Sequence, residues 1–358
     1  MDEAGDLEVV AASCQEVLEP AFRVRLALLQ PDLLAHGVAL DLLPLFAVGQ
    51  SRQFRGAGPL AKARILAGAR RRLIADLRAL GERAPVALVQ RHVDMTPSLA
   101  LEKAVVAKRR LVYDTDDAIW LTGRQTGGHP LGVLKGVARK VRWLAERAAH
   151  VIAGNDVLAE HLATYNDAVT VVPSLVDYRA YAQRRHLQAE QVTLGWIGSH
   201  TTAPYLQAIV PALERFAKQS RRGVRLLMVG GSAPRIAGVR VDEHAWSPAV
   251  EREALAEIDI GLMPLADTPW TRGKCAYKAL QYMAAGIPPV VDDVGISARA
   301  VSGAGYVATG SDQWLEALDT LAGDSGLRDR LGEAGRRRIA EDFSPQRWLP
   351  TVAAILRG

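Results

Sequence analysis

Apolar runs and amphipathic stretches alternate along this chain, and the alternation predicts strands and helices in turn. In the first half, Leu7–Ser13 reads as a strand, Val24–His36 as an amphipathic helix ended by Gly37, and Val38–Leu45 as a second strand. A long Arg-rich helix over Leu60–Leu80 precedes the strand Val86–Gln90, the helix Pro97–Val106 and the strand Arg110–Asp114. The helix Val133–Arg147, the strand His150–Ala153, the helix Asp156–Tyr165 and the strand Val169–Val172 complete that half. Residues Asp177–Gln191 are polar and rich in Arg and Gln, and read as a linker. The rhythm then restarts: strand Val192–Ile197, helix Ala203–Ser220, strands Val224–Val229 and Val239–His244, helix Pro248–Glu257, strand Ile258–Met263. A helix and strand within Gly273–Val291, a strand at Gly305–Ala308 and C-terminal helices follow, the last near Pro345–Leu356. Strand–helix alternation of this kind predicts an α/β architecture with parallel sheets.

Length sharpens this into two domains, because 358 residues exceed what one core commonly holds. Hydrophobic content of 49% and charged content of 23% suit a globular enzyme. The formal charge of +5 fits an anionic substrate or an anionic membrane surface, and equally an Arg-rich composition with no such partner. Two distant cysteines, Cys14 and Cys275, make no disulfide framework, so a reducing cytoplasm is the expected compartment. No apolar run approaches the ~20 residues of a membrane span, and no signal peptide is read at the N-terminus.

The densest chemistry lies in Gly273–Val291, GKCAYKALQYMAAGIPPVV. A Gly-Lys turn feeds a helix, Gly286 stops it where a left-handed residue is needed, and Pro289–Val291 reads as a buried strand. A helix N-terminus with Lys274 and Lys278 beside it is an anion site, since backbone N–H groups and the helix dipole both favour phosphate. Gly198 ends the first strand of the second half, and Ser199, Thr201 and Thr202 after it can ring a diphosphate; an ordinary strand-to-helix turn is the plainer reading.

The Gly273–Val291 segment resembles the donor-site signature of the retaining glycosyltransferases of group 1, family four. That family has the GT-B fold, two Rossmann-like domains with parallel sheets facing a central cleft. The family form places two acids, with seven residues between them, before Ala-Met-Ala-x-Gly-x-Pro-Val-Val. Here Gly273 and Gln281 stand at the two acid positions, while Lys278 matches a family sub-pattern. The resemblance implies that Gln281 holds the ribose through its amide oxygen. It also implies a donor site that takes in Cys275, Ala276, Gly230, Trp246 and Ser247. Trp246 reads equally as a core-edge aromatic, and Ser247 as the N-cap of the next helix. With the first acid gone, recognition of the donor sugar's hydroxyls departs from the family pattern.

Asp114, Asp116 and Asp117 crowd one strand end, where three like charges repel. A metal site, an acceptor-side acid cluster and a solvated helix cap are the alternatives, and the resemblance favours the second. Arg23 and Arg25, a pair common in a family subgroup, join Arg91 and His92 as acceptor candidates; for the arginines a helix surface is the competing reading. Basic runs at Arg70–Arg72 and at Lys135, Arg139, Lys140 and Arg142 border apolar stripes that include Leu66, Leu73, Leu134 and Val137. Such helices dock on anionic membranes or bury the stripe in a core. Nothing in the chain points to nucleic acid.

The expected organisation is an acceptor-binding domain over residues 1–185 with the C-terminal helix 343–358 crossing back, and a donor-binding domain over 190–342. The expected function is a metal-independent, retaining transfer of a sugar from a nucleoside diphosphate to a hydroxyl acceptor, with no cofactor. Lys274, Lys278, Asp116 and Asp117 are the candidates for catalysis. The alternative is a non-catalytic nucleotide-sugar-binding subunit of another transferase. An isomerase acting on a nucleotide sugar and a metal-dependent enzyme built on the acid cluster are further rivals.

Overall fold

The computed structural model describes residues 6–121 and 136–358. They hold two six-stranded sheets in which every neighbouring pair runs parallel. The first contains β1 (Leu7–Ser13), β2 (Val38–Pro44), β3 (Val86–Gln90), β4 (Arg110–Thr115), β5 (His150–Ala153) and β6 (Val169–Val171), in the order β2-β1-β3-β4-β5-β6. The second contains β7 (Gln191–Ile197), β8 (Gly223–Val229), β9 (Arg240–His244), β10 (Ile260–Met263), β11 (Pro289–Asp292) and β12 (Tyr306–Ala308), in the order β12-β11-β10-β7-β8-β9. The chain divides into two compact units. One comprises Met1–Leu175, Gly273–Cys275 and Trp348–Gly358; the other comprises Val176–Arg272 and Ala276–Arg347.

The central strands are unbroken apolar runs, such as Val9–Ala12 and Val86–Val89, because helices cover both faces of a parallel sheet. In each sheet the winding reverses beside its first strand, which lies between β2 and β3 in one and between β8 and β10 in the other. Ligands of such sheets bind outside the carboxyl ends of the strands at this reversal. The registers bring Ser13, Gln90 and Asp114 side by side along the carboxyl edge of the first sheet.

Most expected elements lie within a few residues of their sequence bounds. The helix expected over Val24–His36 is instead broken into an α turn (Pro20–Phe22), a π-helical stretch (Arg23–Ala27) and a short helix (Gln30–Ala35). Pro31 supplies the reason, having no N–H to donate and a ring that clashes with the carbonyl four residues back. A helix at Gln50–Gly56, which carries no clear apolar period, was invisible in the sequence. The start of the Val133–Arg147 helix, with Leu134 and Lys135, lies outside the described residues; from Val137 onward the helix is present.

Two expectations about polar segments are corrected. The stretch read as a linker is anchored to the second unit. Arg184 donates its backbone N–H to the Ala285 carbonyl at 2.8 Å, and the buried His186 ring donates Nε2–H to the Gly286 carbonyl at 2.9 Å. Asp259 gathers this segment, accepting from the Arg184 guanidinium at 3.0 Å and the Thr193 N–H at 2.9 Å, with His186 Nδ1 at 3.5 Å. Burial works against its charge, but His186, the Thr193 N–H and Arg184 together hold the carboxyl below its ordinary value. A carboxyl depressed in the folded state contributes stability above its unfolded pKa of about 3.9, and that contribution fades as pH falls through it. Asp259→Asn is therefore expected to cost about 2 kcal/mol at pH 6. Thermal melts should show the gap from the parent chain closing below about pH 4; a gap that widens there would refute the assignment.

The second correction concerns Lys140, read as one of the basic residues that border an apolar stripe. It is fully buried, with Nζ 2.6 Å from Glu102 Oε1 and 2.9 Å from the Asp94 carbonyl. Glu102 Oε1 also accepts the N–H groups of Val93 and Asp94, so this pair fixes the turn that follows β3. Arg70 likewise turns toward Asp94, at 3.4 Å.

The last helix, Pro345–Arg357, sends Leu349, Val352, Ala353 and Leu356 into the core of the first unit beside Val38, Val86 and Val112. Each such side chain contributes roughly 1.5–3 kcal/mol by leaving water, less for the alanine.

Candidate functional site

In the second unit the candidate residues converge at the carboxyl ends of β7 and β8. The Tyr277–Ala284 helix is set against β7 by Tyr282, whose hydroxyl donates to the Gly195 carbonyl at 3.1 Å and accepts the Ile197 N–H at 3.0 Å. Gly286 ends the helix at φ +76°, with its own N–H on the Met283 carbonyl and the Ile287 N–H on the Tyr282 carbonyl. This paired closure is why the sequence needs glycine there. At the other end Ala276 holds a left-handed backbone, φ +52°, and offers the first helical turn no side-chain cap. Strain at a non-glycine residue of this kind costs of order 1–3 kcal/mol and concentrates at ligand sites.

Lys278 projects from the first turn of that helix. Its Nζ lies 3.3 Å from Thr202 Oγ1 and 5.1 Å from the ring centroid of the buried Trp196. A side chain at Gly198 would meet Lys278 Cε at 2.6 Å and the Trp196 ring at 2.5 Å, so only glycine admits this lysine. Ser199 and Thr202 close a turn, the Thr202 N–H donating to the Ser199 carbonyl at 2.9 Å, while the Ser199 and Thr201 hydroxyls lie 2.7 Å apart. Gly230, at φ +85°, passes so close to Gly198 that a Cβ would sit 2.2 Å from its carbonyl oxygen. Trp246 flanks Gly230 and donates Nε1–H to Glu251 at 2.7 Å. Ser247 caps the Pro248–Glu257 helix, accepting the Val250 N–H at 3.2 Å, which is the structural reading of that residue. Gln281, one turn beyond Lys278, is buried, and its Nε2 has no hydrogen-bond partner among the described residues. A buried amide left unpaired is costly in a finished fold.

The first unit assembles a second cluster along its own sheet edge. Arg25 and Asp114, expected to meet an acceptor, are buried against each other. Arg25 Nε lies 3.1 Å from Asp114 Oδ2, a further bond joins its NH2 to Oδ1, and its NH1 donates to the Val172 and Pro173 carbonyls at 2.8 Å. Burial lifts the Asp114 carboxyl above its ordinary value against the pull of Arg25. The like-charge problem at this strand end is solved by arginine. Arg91, in a left-handed backbone at φ +62°, reaches Asp116 at 2.8 Å and Asp117 at 3.0 Å. Burial opposes charge on Asp116, yet Arg91 holds its carboxyl below the usual range. Gln90 donates to Asp116 at 3.1 Å and accepts from Ser13 at 2.8 Å. Among the described residues no group of His, Cys, Asp and Glu is arranged to hold a metal ion. His92 Nε2 lies 3.7 Å from Cys14 Sγ. Arg23 is half-buried.

Gly273–Cys275 count with this unit. Asn155 Nδ2 donates to the Gly273 carbonyl at 3.0 Å and the Lys274 carbonyl at 3.2 Å, and Lys274 Nζ lies 3.5 Å from Asp117 Oδ1. A Cβ at Gly273 would fall 2.7 Å from that of Ala118, so the position of the missing first acid has no room for a side chain. Cys14 and Cys275 are both buried, and burial pushes each thiol up to about 12. Asn155 reads from the sequence as a polar residue that ends the His150–Ala153 strand on the side of the expected cleft. Its role as N-cap of the next helix and clamp on the Gly273 turn came from the structure.

Residues 191–324 match the family model described as glycosyl transferases group 1. No curated protein matches the sequence. Among solved structures, the sucrose-phosphate synthase from Thermosynechococcus elongatus is 14% identical, with 98% of each chain covered and a TM-score of 0.69. WaaG, a glycosyltransferase involved in lipopolysaccharide biosynthesis, is 16% identical over 98% of this chain and 100% of its own, with a TM-score of 0.65. HepE from Anabaena, in complex with UDP-glucose, is 14% identical over 98% of this chain and 99% of its own, with a TM-score of 0.63. At such identities the likeness is one of fold, and it gives this chain the GT-B plan of two Rossmann-like domains.

Proposed function

We propose that this chain is a retaining, metal-independent glycosyltransferase of family four that moves a sugar from a nucleoside diphosphate to a hydroxyl acceptor. The carrying observation is the placement of Lys278 over Trp196 and against Thr202, at an uncapped helix start beside Gly198, inside the group 1 match. Charge develops on the diphosphate as the sugar leaves, and a fixed ammonium, hydroxyls and backbone N–H groups stabilise it there. Lys278 and the Gly198–Thr202 turn would meet the diphosphate. The unpaired amide of Gln281 would meet a ribose hydroxyl. Trp246 and Gly230 would border the base. In retention the acceptor attacks from the face the diphosphate leaves, and the departing phosphate oxygen takes the acceptor's proton. The protein then supplies position and charge rather than a strong base. Arg91, Asp116 and His92 would orient the acceptor. No cofactor enters this scheme, and HepE bound to UDP-glucose makes a uridine nucleotide the first donor to try.

Thermal-shift measurements with nucleoside diphosphates and their sugars, with and without chelator, test the reading. Stabilisation by one nucleotide series that survives the chelator is expected; none with any nucleotide would sink it.

A second reading rests on Gly273. Its packing against Ala118 and Leu158 leaves no room for the acid the family form places there, so the loss is built into the fold. A nucleotide-sugar-binding subunit without transferase activity would bind a donor yet neither transfer nor hydrolyse its sugar.

A further inference from the structure

A cavity of 710 Å³ opens at the amino ends of β3 and β4, where the long helix Pro59–Leu80 and the helix Ala100–Val106 both end. Ile74, Leu77, Ala84 and Ala104 give it an apolar floor. Three cations line it, Arg78, Lys108 and Arg109, against a single carboxylate, Glu82. Arg109 fastens the walls together, its guanidinium donating to the carbonyls of Gly81 at 2.7 Å, Ala84 at 3.0 Å and Val105 at 3.2 Å. Those partners are neutral, so they leave its charge uncompensated. Arg78 is exposed, and its guanidinium has no partner among the described residues. Lys108 and Glu82 pair at 2.7 Å, each 79% exposed, and a pair so open to water parts at little cost. Lys108 also holds a left-handed backbone, φ +58°, strain of a kind that collects at ligand clamps. Ligand pockets span roughly 300–1,000 Å³ and join apolar walls to a few placed polar groups, as this one does.

We infer that this cavity binds a small organic anion, its apolar body on the floor and its charged end at Arg78. Charge complementarity selects the sign: a cation would face three like charges, and a neutral body would leave Arg78 unanswered. The cavity is separate from the residues proposed for the acceptor. Gln90 and Asp114 stand at the carboxyl ends of the same two strands, and the five residues of β3 put about 17 Å between its ends. The bound anion is therefore not the acceptor; it grips the segments from which both strands start. Its binding is independent of the donor site and is tested without a nucleotide sugar.

The full chain is to be titrated with anilinonaphthalene sulfonate and with N-phenylnaphthylamine, which share one apolar body, differ in the sulfonate and brighten on leaving water. Saturable binding of the anion is expected, with affinity for the neutral compound lower by about ten-fold. Arg78→Ala lowers the affinity for the anion about ten-fold and leaves that for the neutral compound where it was. Ala104→Trp fills the floor and lowers both by at least about ten-fold. Leu60→Ser, at the far end of the same helix, changes neither. Melting curves check the fold, and if Ala104→Trp melts early, Ala107→Trp replaces it. No saturable binding, equal affinity for the two compounds, parental affinity in Arg78→Ala, or binding unchanged in the filled variant overturns the proposal.

Discussion

Lys278→Ala lowers turnover about 10²–10³-fold while the protein still folds, the loss expected when one preorganised donor is removed from a developing anion. Lys278 sits on a helix whose other anchors, Tyr282 and the Gly286 closure, do not involve it. Its loss removes the contact over Trp196, worth about 1 kcal/mol or less when partly solvated, and the one to Thr202 Oγ1. Release of nucleoside diphosphate from the donor identified by thermal shift measures the effect. Lys278→Arg should recover only part of the rate, because the broader guanidinium has to pass Gly198 in the space that now holds one methylene chain. Parental turnover in Lys278→Ala would remove the lysine from the reaction.

Lys140→Ala is expected to cost about 3–5 kcal/mol, since it leaves the Glu102 carboxylate buried and uncompensated. Urea unfolding of the first unit reads this directly. Lys108→Ala breaks a pair of similar geometry, 2.7 Å from Glu82, but one that water surrounds, and should leave the midpoint where it was. The joint replacement Lys140→Met with Glu102→Leu should recover only part of the loss, because an apolar pair avoids the desolvation of two charges but takes the acceptor from the Val93 and Asp94 N–H groups. If Lys140→Ala unfolds no earlier than Lys108→Ala, the buried pair is not what holds the turn after β3.

The order of strands and helices was legible because parallel strands are apolar on both faces, and Val9–Ala12 or Leu226–Val229 stand out without any knowledge of their neighbours. The Gly286 closure was legible for a similar reason, a left-handed position being a local demand. Positions whose meaning depends on a distant partner were opaque. Lys140 looks solvated until Glu102, 38 residues earlier, is brought beside it. The acids at Asp114–Asp117 look like open ligands until Arg25 arrives from the π-helical stretch after β1 and Arg91 from the end of β3. His186 looks like linker until Gly286 and Asp259 close on it. In the candidate site, Lys278 and Gly198 were each readable, but the reason they belong together is the space a glycine leaves for a lysine stem.

The two buried thiols turn the folded chain into its own opening gauge. With each pushed up to about 12, the thiolate that an alkylating reagent needs is nearly absent at pH 8 in the closed state. Labelling at Cys275 then proceeds only through excursions that lift the Gly273–Cys275 turn from Asn155, and labelling at Cys14 only through loosening of the edge beside His92. Because the two sites are chemically alike, the ratio of their alkylation rates compares the breathing of the two places in one unmodified molecule.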